Sequence, residues 1–369
     1  MNRRERVLAA IDHQETDFVP YNFHAVPAVW HKVCQHYGLK DNHQAMEFIG
    51  NHIVKVGSDF NYNPWATEVG QVALTLSGGP VHTELDEGGE LHQDEFGCVW
   101  DRRGGLPHPV AYPMAHIEGP AQLSQALEEY TFPDPYREGR FEQARQLADR
   151  YRGEVFLFGK LGMCLFERAW SIRGMSQLLI DMAVQPEFVE ELLDRILYEW
   201  NLPIIDQQLA LGVDGFYFAD DWGTKTGLMF SPGMWRRFIK PRLAIIYQHC
   251  QEAGVIVGQH SDGAVQELFT DLIELGLHVF NPLSPSVMDP HVVKQGYGHQ
   301  LTFYGGIDVE HTLPLGTPQE VREEMRSRSE TMGQGGGYIL QSSHTILEDV
   351  PMENITAYID EVRHMSGLD

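Results

Sequence analysis

The later part of this chain alternates short apolar runs with single helical segments, and that rhythm constrains the fold more than any other feature. Glu154–Gly159, Gly212–Ala219, Val255–Gly258, His278–Asn281, Leu301–Gly305 and Gly337–Leu340 each read as a strand buried on both faces. The segments between them carry helical patterns, over about Arg173–Trp200, Pro232–Ala253 and Ala264–Leu275 among others. Parallel neighbours in a sheet need such a crossover, so the alternation predicts βαβ units. Val19–Val26 and Ile53–Phe60 supply two earlier strands and bring the set to eight. Eight strands, each followed by a helix, predict an α/β fold of the (β/α)8 TIM-barrel type. The rival is a doubly wound sheet, which would present a Gly-rich phosphate turn after its first strand. The chain has no such turn there, and no P-loop anywhere.

One stretch breaks the rhythm. From about 65 to 135 the chain alternates and turns, as in VALTLSGG and ELHQDEFGCVWDRRGG, which predicts an inserted hairpin region over one end of the barrel. No repeat and no linker divides the chain, so a single domain over 1–369 is expected.

Composition narrows the partners. The chain has 369 residues, with 52 Asp and Glu against 27 Lys and Arg, a formal charge of −25. A nucleic-acid binder needs a basic face, and an anionic membrane would repel this surface, so neither is expected. No run approaches the ~18 apolar residues of a membrane span. The start, Met1 to Arg6, lacks the apolar core of a signal peptide. Cys34, Cys98, Cys164 and Cys250 are far apart and form no CxxC pair, which points to a reduced, cytoplasmic setting.

In a barrel of this kind the chemistry sits at the carboxyl ends of the strands. The polar residues there are His24, Ser58-Asp59, Lys160, Asp220-Asp221, His260-Ser261-Asp262, Asn281, Asp308 and Ser342-Ser343-His344. His260 and Asp262 are two apart in an extended segment, so an imidazole and a carboxylate face one site. With His344 they make a candidate metal set, His260, Asp262 and His344, with positions left open for substrate. The competing reading makes Asp262 a helix cap and His260 a hydrogen-bonded barrel histidine. Asp220 and Asp221 are candidates for acid–base work or substrate orientation, one facing the pocket and the other away, or else N-caps. Asp59 has the same two readings. Lys160 is a candidate anchor for a substrate carboxylate, or reaches solvent. Arg168 and Arg173 are candidate anion anchors, or ordinary helix-surface arginines. His24, Tyr217, Trp222 and Asn281 complete the candidate substrate-binding set, and Phe23, Tyr62, Trp65, Phe166 and Tyr304 are further candidate pocket walls.

Five blocks then resemble a known family. RRERVLAAIDHQETDFVP at the start, FERAWSIRGMSQLLIDMAVQPEFVEELLDRI over 166–196, FADDWGTKTGLMFSPGMWRRFIKPRL over 218–243, LTFYGGIDVEHTLPLGTPQEVREEM over 301–325 and GGGYILQSSHTI over 335–346 are similar to the uroporphyrinogen decarboxylase superfamily, in its methyltransferase-related branch. The resemblance implies a TIM-type barrel and one of two chemistries. True uroporphyrinogen decarboxylases grip tetrapyrrole carboxylates with an arginine-rich segment. Here that region reads PYNFHAVPAVWHKV and has no arginine, which argues against that substrate. Ser58-Asp59 and His344 resemble the decarboxylase site and keep a metal-free decarboxylase of small acids, acting through Asp59 and His344, as an alternative. The other branch holds corrinoid-linked methyltransferases that bind zinc through an HxC pair and a later Cys. In this chain His260 matches the histidine, Asp262 stands at the first cysteine and His344 falls near the second. The resemblance therefore implies a divalent metal, zinc first, on harder ligands that suit activation of an oxygen. The chain lacks a DxHxxG corrinoid motif, so a corrinoid would arrive on a separate protein. The expectation is a metal-dependent methyltransferase of a small methylated or methoxylated substrate, with Asp220 or Asp221 orienting it or moving a proton. Relatives form dimers or monomers, so a homodimer is an open expectation. A non-catalytic ligand-binding barrel is the third class.

Overall fold

The computed structural model describes residues 1–57, 82–84 (backbone), 90–101, 103 and 107–368. Among them, seven parallel strands form one curled sheet: β1 (Ile53–Val56), β6 (Phe156–Leu161), β7 (Gly215–Ala219), β10 (Ile256–His260), β11 (Val279–Leu283), β12 (Thr302–Ile307) and β13 (Tyr338–Ser342), side by side in that order. The eighth position is held by residues 20–26. Tyr21 forms a parallel bridge to Leu340 of β13, and its carbonyl accepts the His52 N–H at 3.1 Å beside β1. The predicted first strand is thus in place and closes the ring, but only through isolated bridges. The fold is the α/β barrel expected.

The strands are rich in β-branched and aromatic residues and are buried almost throughout, as parallel strands covered on both faces must be. Inside the ring, Ile53, Phe156, Phe158, Tyr217, Val279, Tyr304 and Ile339 fill the lumen, and Val7 and Ile11 close its amino end. Those two come from the helix Arg3–Ile11, which starts on a capping box between Asn2 and Glu5.

The inserted region is a four-stranded antiparallel sheet in the order β2 (His82–Glu84), β3 (Leu91–Asp94), β4 (Val99–Asp101), β5 (His108–Ala111). Two short strands, β8 (Gly223–Thr224) and β9 (Gly227–Leu228), make a small hairpin after β7. The helix expected over Arg173–Trp200 is broken. Gly174 adopts φ 89°, which ends the helix Phe166–Arg173, and Pro186 starts a new one after Gln185. Among the described residues, no helix is long and apolar enough to cross a membrane.

Candidate active site

At the carboxyl ends of the strands lies a cavity of about 430 Å³. Its walls include His24, Lys55, Lys160, Glu167, Tyr217, Asp221, His260, Asn281 and His344, and Trp100, Pro107, His108 and Pro109 of the inserted sheet roof it.

His260 ends β10, level with Ala219 of β7 and Asn281 of β11. The Asn281 amide donates through Nδ2 to the Tyr304 carbonyl at 2.8 Å, which turns its Oδ1 toward the site. That oxygen accepts from Tyr217 Oη–H and lies 2.6 Å from His260 Nδ1. An amide oxygen only accepts, so the network places a His260 proton on Nδ1 and turns Nε2 toward the cavity. Nε2 lies 3.7 Å from Asp221 Oδ1. The His344 ring centre is 6.0 Å from that of His260. The protein packed around His344, and then the nearby His260, lower its pKa. His24 is held well below the usual histidine value by burial and then by Lys55 and Lys160. Both imidazoles are therefore neutral near pH 7.

The two adjacent aspartates separate completely. Asp220 is fully buried and accepts from the N–H groups of Leu165 (3.2 Å), Phe166 (3.0 Å) and Glu167 (2.8 Å) and from the Trp222 indole (2.8 Å). It caps the first turn of the helix Phe166–Arg173 from across the fold and does not line the cavity. Burial raises it to about 6 against the pull of those donors. Asp221 faces the cavity, and its Oδ1 accepts the Asp262 N–H at 2.8 Å. This contact requires the loops after β7 and β10 to touch, which two glycines permit. A Cβ on Gly223 would stand 2.6 Å from the Asp262 carbonyl oxygen, and one on Gly263 (φ 87°) 2.5 Å from the Gly223 carbonyl carbon.

Glu167, next along the helix that Asp220 caps, also faces the cavity. Burial, then the charges of Asp221 and Asp220, raise its pKa well above the usual carboxyl range. Burial and the neighbouring carboxyl groups thus favour its protonated form.

The floor holds two buried lysines, Lys55 and Lys160. Lys160 stands on β6 level with Tyr217. The buried Gln208 side chain clamps it, accepting the Lys160 N–H at 2.7 Å and donating to its carbonyl at 3.0 Å. Lys55 of β1 places Nζ 3.8 Å from the Tyr217 ring centre, and withdrawal from water lowers it to about 7.

Several expectations need correction. Asp220 is a structural cap. Trp222 is fully buried against Trp235 and Asp220, not in the cavity wall. Asp262 lies outside the lining, and the carboxylate beside His260 is that of Asp221. Arg168 and Arg173 are buried structural residues. Arg168 pairs with Asp94 at 3.7 Å, and Arg173 with Asp181 at 2.6 Å. Ser58, Asp59, Tyr62 and Trp65 lie outside the described residues. The structure gathers His24, Lys160, Tyr217, Asp221, His260, Asn281 and His344 as expected, and adds Lys55, Glu167 and the roof, which the sequence reading missed.

A metal can be weighed on the same geometry. The donor types suit one, with the His260 and His344 imidazoles and the Asp221 carboxyl lining the same cavity. Among the described residues, however, no three His, Cys, Asp or Glu side chains are gathered closely enough to enclose an ion.

Known proteins agree on the architecture. A methyltransferase from Methanosarcina mazei superposes with a TM-score of 0.69 over 99% of each chain, at 16% identity. Uroporphyrinogen decarboxylases from Mannheimia succiniciproducens and Actinobacillus succinogenes are 23% and 24% identical, covering 68% and 67% of this chain and 71% and 70% of their own. The family pattern of uroporphyrinogen decarboxylase matches residues 111–365, from the last strand of the roof to the final helix. With more than half of its length matched, this chain belongs to the uroporphyrinogen decarboxylase (URO-D) family, a family of enzymes.

Proposed function

We propose that the chain is a methyltransferase. It would move a methyl group between a small methylated or methoxylated substrate and a corrinoid carried by a separate protein. The observation that carries this reading is the orientation of His260, with Nδ1 committed to Asn281 and Nε2 turned toward the cavity, 3.7 Å from Asp221 and with the His344 ring 6.0 Å from its own. A histidine fixed by a carbonyl-type acceptor on its far nitrogen is the arrangement of a metal ligand. His260 and His344 would hold a divalent metal, zinc first, with the remaining positions left to substrate. When bound, that metal would supply Lewis-acid polarisation of the substrate oxygen. Asp221, beside His260, orients the substrate. Glu167 holds a proton at the cavity wall. As the carbon–oxygen bond breaks, its electron pair stays on oxygen, and Glu167 delivers its proton there. The whole-length likeness to a methyltransferase supports this reading.

The test pairs metal analysis with turnover. Wild type and the His260→Ala/His344→Ala double variant are assayed for bound metal, and for methylation of free cob(I)alamin by a panel of methoxylated acids and methylated amines. One equivalent of metal and methylcobalamin formation in wild type, both lost in the variant, is the expected result. Metal-free protein that methylates nothing would overturn the reading.

A metal-free decarboxylase of small acids is the second reading. Its support is the family pattern and the relatives that carry that name. Release of carbon dioxide that survives chelators would select it.

A further inference from the structure

The roof of the cavity is built of different material from its strand-end wall. Trp100 of β4 and Pro109 of β5 are direct cross-strand partners, and both line the cavity. The Trp100 indole N–H donates to Asp94 Oδ2 at 3.0 Å, so its one polar group is spent and the ring offers a ligand only carbon. Asp94 is in turn fixed by the N–H groups of Phe96 (3.0 Å) and Cys98 (2.9 Å), which sets the ring's direction before anything binds. A second indole approaches from the barrel. Trp170 follows Glu167 by three residues on the helix Phe166–Arg173, so the two side chains share a face, and both line the cavity. The ring centres of Trp100 and Trp170 are 6.2 Å apart and their planes are inclined at 58°, so the rings are not stacked on one another, and both are only half-buried. Met163 lines the same cavity from the turn after β6, at φ 52°, a left-handed conformation that bulky side chains rarely adopt. That turn is held on both sides, because the Cys164 N–H donates to the Ala219 carbonyl at 2.9 Å and its carbonyl accepts from Asn201 Nδ2 at 2.8 Å.

We infer that this part of the cavity is a seat for one flat aromatic ring of the substrate, held against Trp100, Trp170 and Met163, with a substituent directed toward His260 and Asp221. An aliphatic chain would gain only buried area here. A ring gains in addition the attraction of its edge or face for the indoles, and the contact of its edge with the Met163 sulfur. The cavity, about 430 Å³, lies at the small end of the roughly 300–1,000 Å³ of ligand sites, which suits a single substituted ring. The ring seat stands apart from the reaction, whereas the nature of the substituent rests on the methyl-transfer reading. On that reading it is a methoxyl, and the substrate is a methoxylated aromatic. Transfer then leaves the carbon–oxygen electron pair on the ring oxygen, which takes a proton to become a phenol, while the methyl group passes to the cobalt of the corrinoid that the separate protein brings.

A methylated ammonium group is the other ligand that indoles attract, and it binds best where ring faces surround it. Here the two indoles are joined by a proline and a methionine, and Lys55 Nζ already stands 3.8 Å from the Tyr217 ring centre. The lining therefore favours an aromatic ring over a cation.

Calorimetric titration of the intact protein with 4-methoxyphenol, 4-methoxybenzoate and 4-methoxybenzylamine tests the seat without turnover, since the three carry different charges on one ring. Each is compared with its cyclohexane counterpart, and tetramethylammonium is titrated beside them. The proteins are wild type, Trp100→Leu, Trp100→Phe, Trp170→Leu and the control Tyr136→Ala at an exposed ring. At least one aromatic probe should bind saturably, about fivefold or more tighter than its saturated counterpart. Trp100→Leu and Trp170→Leu, which keep the site apolar, should each lose about fivefold or more in affinity for that probe. Trp100→Phe should restore most of the loss, and Tyr136→Ala should bind as wild type. If Trp100→Leu does not fold, Trp170→Leu decides. No saturable binding of any aromatic probe, equal affinity for the saturated counterparts, tighter binding of tetramethylammonium, or undiminished binding in the folded leucine variants would overturn the inference. Ring binding without methyl transfer leaves the seat standing and removes only the methoxyl, while failure of ring binding leaves the roles of His260 and His344 to their own test.

Discussion

Along β7, β10 and β11, the polar groups of the cavity hold one another. Tyr217, His260 and Asn281 share one hydrogen-bonded cluster anchored on the Tyr304 carbonyl, and behind it Asp220 gathers three backbone N–H groups and an indole. Across the cavity, β1 and β6 carry Lys55 and Lys160, whose dominant condition is loss of water. One wall is completed by the fold itself and fixes geometry in advance. The other answers mainly to loss of water, which lowers the pKa of both amines. The same barrel thus builds a hydrogen-bonded wall and a desolvated one from the same kind of strand.

Substitutions should separate the two walls. Asp220→Ala should cost the most, on the order of 3–5 kcal/mol, because it leaves three buried backbone donors and an indole N–H without an acceptor. Chemical denaturation measures it, and Asp220→Asn should recover part of the loss. A cost within about 0.5 kcal/mol would show that the Asp220 cap is not what holds the helix bearing Glu167. Asn281→Leu should cost less, about 1–3 kcal/mol, for the buried Tyr217 and Tyr304 groups it leaves unpaired, and should free the His260 ring, with a fall of about 10–100-fold in kcat/KM on whichever substrate is established. Unchanged activity would remove the case for a preset wall. Lys55→Met should have the smallest effect and the opposite sign, raising stability by about 1–2 kcal/mol at neutral pH, a value discounted for water in the open cavity. The sign follows from the folded value, about 7 against 10.5 for the free side chain. Between those values the unfolded chain binds more protons, so wild-type stability rises with pH through that window. The variant should lack this rise, and its advantage should be greatest below pH 7. Thermal melts over that range decide it.

The barrel was legible because buried parallel strands leave continuous apolar runs, and seven of these fall where strands form. The closing segment at 20–26 was legible only as a run, since its pairing is confined to two bridges. Scanning the residues after each strand found His260, Asn281, Asp221, Lys160 and His344. It missed Lys55, which lies inside a four-residue strand, and Glu167, which opens a helix. A lysine at an inward position of an otherwise apolar strand was the available signal. The split between Asp220 and Asp221 was not readable, because it depends on two loops from distant parts of the chain meeting at Gly223 and Gly263. The break at Gly174 was readable from the glycine, but the amphipathic pattern runs through it.

The roof has its own consequence. Trp100 reaches the cavity from β4, and its indole is held by Asp94, which also accepts from Phe96 and Cys98 and pairs with Arg168, the residue after Glu167. The strands above the opening therefore fasten to the barrel beside Glu167. Roof and wall form one mechanical unit, and a change at Asp94 would be felt both at Trp100 over the cavity and at Arg168 beside Glu167.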